Sequence, residues 1–396
     1  MNMKENEIQV LGHTPQNGWK HLWPWFVAFA FVSLIGGILI GRFAIREPRM
    51  ESLRSFGEST LDSTLQTTVD SLLREKMTEI EAQSGQAIVM EVATGEIRAM
   101  VGLQKRFDGG YEACQNFGHQ QELGSLMRGA SMLAVLEDGE GMNLGTMVDT
   151  EEGVVYYEGR VVKDHNWHRG GYGKLTMEEV LSYGSNIGVC RLVDEVYGNN
   201  PLRFFDRLAS MSFGKPDSLC DLPCLKPMAD SAPNDSCWTK SKLAWNSFGY
   251  ERLIAPLQIL TFYNAIANNG RMVEPMLYHR DVLVINPQIA SKESLQQLQE
   301  AMCHTVSEGI GHKAEAEKVK VAGLTGTVQV SQGMSEEGED YNDSRYCLEF
   351  CGYFPAEQPR YSIIVSMNKI GLPASGGGMA APVFRQIVEY MVGQEK

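Results

Sequence analysis

From Leu22 to Gly41 the chain (LWPWFVAFAFVSLIGGILIG) carries no charged residue and is apolar on every helical face. About 20 such residues span a bilayer as a helix, and a helix apolar on every face at this length is rarely a buried core helix. Trp23 and Trp25 suit the headgroup region at one end, and Arg42 follows the other. Arg42-Phe43-Ala44 is a poor cleavage site, so residues 22–42 read as an uncleaved signal anchor behind a polar tail, 1–21. Across the polar stretch Glu51–Ser84, Leu61, Leu65, Val69, Leu72 and Leu73 recur at helical spacing. They predict a juxtamembrane helical linker over 43–84 that packs on the main domain or on a partner.

The pattern then shortens. Ala87–Val92 and Glu96–Leu103 are apolar-rich runs split by Ala93-Thr94-Gly95, which predicts a hairpin. Cys347–Phe354 and Tyr361–Met367, joined through Pro355 to Pro359, predict a second one. Thr176 followed by Glu179 is a capping box opening a helix toward Leu181. Pro382–Val392 reads as a closing helix with Val383, Ile387 and Met391 on one face. Strands at both ends with helices between predict an α+β domain over 85–396, an antiparallel sheet packed against an all-helical lobe.

Charge removes one class of function. The net charge is −14 over 396 residues, and no Lys/Arg block forms a nucleic-acid footprint. Around the span, Lys4 and Lys20 precede while Arg42, Arg46, Arg49 and Arg54 follow. That count favours the large domain inside the cell, although long domains translocate largely regardless of charge. Eight cysteines permit disulfides outside the cytoplasm, and Cys220, Cys224 and Cys237 share a Pro/Asp/Ser-rich loop. No histidine completes a zinc-ligand spacing there, and free buried thiols are the other reading. His165 and His168 lack an acidic partner and read as loop or packing residues, so no metal or cofactor is expected.

Three short segments carry the candidate chemistry: Gly124-Ser125-Leu126-Met127-Arg128 ahead of an apolar helix, Tyr183-Gly184-Ser185-Asn186, and Gly323-Leu324-Thr325-Gly326-Thr327. In this order they resemble the S-x-x-K, S-x-N and K-T-G motifs of penicillin-binding proteins and serine β-lactamases. Flanking segments extend the resemblance from about Gly85 to the C-terminus: Gly170–Gly173, Ser247–Tyr250, Ala265–Gly270, Gly352–Ala356 and Ala380–Phe384. A literal S-x-x-K, Ser212 to Lys215, lies in a Gly/Pro loop with no apolar helix behind it and reads as chance.

The resemblance implies acyl transfer by a serine that attacks a D-Ala-D-Ala peptide, with a lysine one turn along as base. Here Ser125 is kept, Arg128 stands for the base lysine, Gly184 for the proton-passing serine, and Leu324 for the third-motif lysine. Asn186 remains, as do Thr325, Gly326 and Thr327, which the resemblance assigns to the substrate carboxylate and, through backbone N–H groups of Ser125 and Thr327, to the oxyanion hole. Ser185 occupies the variable middle position and should point elsewhere, and Leu123 replaces a common proline. A guanidinium cannot act as the base, and each lost acid–base group costs about 10²–10⁴ in rate. The implied role is a catalytically impaired scaffold or regulator of wall synthesis or division; the other is a slow D,D-transpeptidase or β-lactam-binding acyl-enzyme acting through Ser125. A plain interaction module that oligomerises through the linker helix is a third class. The implied partners are the cytoplasmic membrane, peptidoglycan peptide stems, β-lactams and other wall-synthesis proteins, with the main domain in the periplasm on a single-pass inner-membrane anchor.

Overall fold

The structure, a computed structural model, describes residues 57–394 apart from 116, 119, 123, 215–239 and 331–343. The predicted tail and span, Leu123, Lys215, Cys220, Cys224 and Cys237 lie outside these residues. Among the described residues no helix is long and apolar enough to cross a membrane.

Helix α1 (Ser63–Glu79) starts on Asp62, whose carboxylate accepts from the N–H groups of Thr64 and Leu65 at 2.9 Å. This satisfies two donors that a helix start leaves orphaned. Its buried residues are Leu65, Val69, Leu73 and Met77, one every turn. Burying each contributes about 2 kcal/mol. The apolar stripe read in the sequence therefore packs on the main domain, and α1 belongs to the compact unit that starts at Gly57.

A six-stranded antiparallel sheet organises the rest. Its strands are β1 (Ser84–Glu91), β2 (Ile97–Lys105), β3 (Tyr111–Ala113), β4 (Ala322–Val330), β5 (Arg345–Phe354) and β6 (Tyr361–Ile370), in the spatial order β4-β5-β6-β1-β2-β3. Both predicted hairpins are present, β1–β2 and β5–β6, the second closing on the Phe354–Tyr361 pair. In the first turn Gly95 has φ +84°, and a Cβ there would lie 2.3 Å from the Glu274 carbonyl oxygen. Only glycine fits. The two ends of the domain meet where β1 pairs with β6 from Ser84–Asn368 to Glu91–Tyr361.

Between β3 and β4 lie α2 (Met127–Asp138), α3 (Met177–Tyr183), α4 (Asn186–Tyr197), α5 (Leu202–Ser210), α6 (Lys240–Ser247), α7 (Pro256–Ala267) and α8 (Lys292–Ser307). The predicted capping box opens α3: Glu179 N–H donates to Thr176 Oγ1 at 3.2 Å, and Thr176 N–H to Glu179 Oε2 at 2.8 Å. Helix α7 is buried around its whole circumference, and α2 is buried from Met127 to Leu136. Both are mostly apolar, as helices inside a lobe should be, and their buried polar side chains, Arg128 and Ser131 on α2 and Gln258, Thr261 and Asn264 on α7, are hydrogen-bonded. The closing helix α9 (Ala381–Gln394) buries Val383, Ile387 and Met391 as its spacing predicts. One apolar core lies between the sheet and the helical lobe, and a second fills the other face under α1 and α9. The third motif lies on β4, at an edge of the sheet.

Candidate active site

Two glycines set the approach to Ser125. Gly124 has φ +54°, and a Cβ there would lie 2.7 Å from Val328 Cβ of β4; one on Gly249 would lie 1.9 Å from the Gly124 oxygen. The Gly124 N–H donates to the Gly249 carbonyl at 3.0 Å. A single 3₁₀ turn, Gly124–Leu126, then delivers Ser125 to the start of α2. The serine is 9% exposed, and among the described residues its hydroxyl makes no hydrogen bond.

Arg128 follows one turn later and is 6% exposed. Its Nε donates to the Ser125 carbonyl oxygen at 3.0 Å, and its Nη2 points at the Thr325 carbonyl at 3.5 Å, too long for a strong bond. Neither contact is to Ser125 Oγ. Burial pushes the guanidinium down to about 10, opposed by the nearby Asp164 carboxylate and the Tyr263 and Tyr172 phenols. At neutral pH it is a fixed cation.

Gly184 ends α3 in the left-handed region, at φ +70°. A Cβ at this position would lie 2.5 Å from Arg128 Nη1 and 2.6 Å from Ile310 Cδ1. The guanidinium thus fills the volume that a side chain at 184 would enter. Two of the three motif replacements are one steric unit: the larger cation needs the smaller residue.

Ser185 points elsewhere, as expected. It caps α4, accepting from Gly188 N–H at 2.9 Å and donating to Asp164 Oδ2 at 2.6 Å. Asp164 Oδ1 also accepts from Ile187 N–H at 3.1 Å. Burial raises the Asp164 carboxyl above its ordinary value, against the pull of these bonds and of Arg128. Asn186 donates through Nδ2 to the Lys163 carbonyl at 3.2 Å, while its Oδ1 is buried without a partner.

On β4, Leu324 is buried in the lobe core, its Cδ1 3.2 Å from where a Cβ on Gly129 of α2 would stand. An apolar side chain wedges sheet against helix where the family pattern has an ammonium. Thr325 is buried, and Thr327 Oγ1 accepts from Gly376 N–H at 2.8 Å, which leaves its own hydroxyl proton free to donate. Gly326 sits in a tight space: a Cβ there would meet Glu349 Cβ at 3.0 Å and Leu126 Cγ at 3.1 Å. Ser125, Arg128, Gly184 and Thr325–Thr327 therefore converge from three segments, with Leu324 in the wall behind them.

Several residues of this neighbourhood carry no signal in the motifs. Asp164 sits on the loop after the 160–163 strand, and Tyr263 on α7 donates to the Leu126 carbonyl at 2.6 Å. Tyr172, its phenol pushed up to about 12 by burial, stacks on Tyr183 and contacts His165 Nε2 at 3.1 Å. Burial and the Arg128 charge hold His165 below its ordinary value, and it is a packing histidine beside Tyr172. Glu349 did leave a trace, as the lone acid in the apolar run of β5. Its Oε1 accepts from Gln121 Nε2 at 2.9 Å and Ser366 Oγ at 3.1 Å; its Oε2 is buried without a partner. Burial raises its carboxyl to about 7. Ser212 of the chance S-x-x-K is buried just beyond α5, bonded by Asn286 Nδ2 at 3.1 Å. Cys114, Cys190, Cys303, Cys347 and Cys351 are free thiols.

This arrangement can be set beside known proteins. The chain is 24% identical over 389 residues to penicillin-binding protein PbpB of Mycolicibacterium smegmatis, covering 90% of this chain and 57% of that protein. It is 26% identical over 348 residues to the peptidoglycan D,D-transpeptidase FtsI of Escherichia coli, covering 83% and 54%. The chain thus spans a little over half the length of these curated relatives. Its fold matches the transpeptidase domain of penicillin-binding protein 3 from Burkholderia pseudomallei with a TM-score of 0.72 at 22% identity, covering 85% of this chain and 96% of that one. Residues 85–389, which hold the serine turn, the glycine at 184 and the β4 threonines, match the model of the penicillin-binding protein transpeptidase domain, and the chain belongs to that family.

Proposed function

We propose that this protein is a membrane-anchored transpeptidase homologue with an impaired catalytic site, acting in peptidoglycan synthesis or division as a scaffold or regulator. One observation carries the reading. Arg128 spends its Nε on the Ser125 carbonyl and stacks its guanidinium into the space beside Gly184, so no base touches the serine hydroxyl. The surrounding groups offer no substitute. The Asp164 carboxylate is engaged by Ser185 and Ile187, the Tyr172 phenol is too weakly acidic to ionise, and Leu324 is apolar. Losing groups that act as a unit removes turnover rather than slowing it in steps. The relatives' names supply the pathway, wall synthesis; the uncharged run 22–41 supports an inner-membrane anchor, and the periplasmic side follows from the relatives' pathway, against the charge count around the run.

A second reading rests on Ser125 itself, whose hydroxyl is unengaged at a helix start beside the Thr325–Thr327 strand. It is a slow acyl-enzyme that takes β-lactams or peptide stems. Fluorescent penicillin separates the two. The scaffold reading expects no label above that of Ser125→Ala; strong label abolished by that substitution overturns it and establishes the acyl-enzyme.

A further inference from the structure

Away from the cleft, three side chains converge on the outer surface of the helical lobe. Glu300 and His304 lie one turn apart on the same face of α8, and Glu178 reaches them from the first turn of α3. Their ligand atoms all lie within 4.8 Å of one another. His304 Nδ1 is paired with Glu178 Oε1, while Glu300 is exposed and has no other partner among the described residues.

We propose that Glu178, Glu300 and His304 form a binding site for a first-row transition-metal dication of the Zn²⁺ class. Charge is the first argument. Two carboxylates held this close repel each other, and a dication bound between them offsets that repulsion. The donor set is the second argument. One imidazole with two carboxylates suits Zn²⁺ or its neighbours, whereas Mg²⁺ and Ca²⁺ take oxygen donors alone. Three protein ligands leave a coordination position for water. The third argument is rigidity, since both elements are fixed without the ion. Glu178 N–H donates to the Leu144 carbonyl at 3.1 Å, and Ile310 N–H, just past α8, donates to the Ser182 carbonyl of α3 at 2.9 Å.

The position gives the site a consequence. Helix α3 runs on into Gly184, and the chain leaving α8 supplies Ile310, which packs against that glycine. A bound ion staples α3 to α8 behind the cleft without touching it. The proposal is independent of whether Ser125 reacts.

The test is calorimetric titration of Zn²⁺ into the full chain, solubilised in detergent and free of affinity tags. Glu300→Gln, at an exposed position outside the fold's hydrogen bonds, keeps the measurement free of folding defects; His304→Gln and the control His168→Gln complete the set. The expected result is one equivalent of Zn²⁺ whose affinity falls at least ~10-fold in Glu300→Gln and in His304→Gln but not in His168→Gln. Excess Mg²⁺ or Ca²⁺ should leave that equivalent in place. Equal Zn²⁺ binding by wild type and the first two variants overturns the site, as does the absence of any bound equivalent or its displacement by Mg²⁺.

Discussion

Restoring the family's serine at position 184 should damage this protein. Gly184→Ser places a side chain on a backbone at φ +70°, which costs a non-glycine residue about 1 kcal/mol. Its Cβ would stand 2.5 Å from Arg128 Nη1 and 2.6 Å from Ile310 Cδ1, both inside contact distance. The guanidinium must yield, and with it goes a charged hydrogen bond to the Ser125 carbonyl worth about 2 kcal/mol. The sum is about 3 kcal/mol, or about 4 °C in Tm for a domain of this size. In an Arg128→Ala background the clash with the guanidinium is gone, so the same serine should cost about 2 kcal/mol less, with its backbone term and the Ile310 contact remaining. Urea unfolding of wild type, both single variants and the double variant completes the cycle, with an expected coupling of about 2 kcal/mol. If the serine costs the same in both backgrounds, Arg128 does not occupy that space and the steric account of the motif is wrong.

Two further outcomes follow from buried acids. The Glu349 carboxyl is raised by burial to about 7, so the unfolded chain ionises first and stability falls as pH climbs from about 4.5 through 7. The loss is about 3 kcal/mol; Glu349→Gln should abolish that part of the pH profile, gaining on wild type above pH 7 and matching it near pH 4, and parallel profiles would refute the assignment. Asp164→Ala strips the partner of Ser185 and of the Ile187 N–H and removes the carboxylate that favours the buried Arg128 cation. It should cost about 3–5 kcal/mol in denaturant unfolding, and an unchanged midpoint would show that Asp164 does not hold the second motif.

What the sequence disclosed was local. The two hairpins, the Thr176 box and the closing helix were legible because each depends on the spacing of neighbouring residues. Motif order, through the resemblance, pointed to Ser125, Gly184 and the β4 threonines, which the fold brings close together. The linker helix was legible as a helix, but its stripe fits a partner as well as a sheet, and only the fold shows Leu65, Val69 and Leu73 buried on the domain, joined by Met77, with Leu72 half-buried beside them and Leu61 exposed. Asp164 and Tyr263 reach the site through contacts distant in sequence, which no period records. Arg128 illustrates the limit well. By resemblance its identity points to a lost base, yet its fit with Gly184 is a matter of volume, visible only once α2 and α3 are side by side.

The pairing of β1 with β6 has a consequence for the order in which the protein is made. A chain emerging from its N-terminus presents β1, β2 and β3 early, but the strand that completes β1 lies at 361–370, behind the entire helical lobe. Closing so distant a pair makes folding slow and leaves strand edges open meanwhile. A chain cut before Tyr361 would keep an apolar β1 with one bare edge, a template for aggregation rather than a smaller working domain. Synthesis must run almost to the end before any part of the sheet is safe.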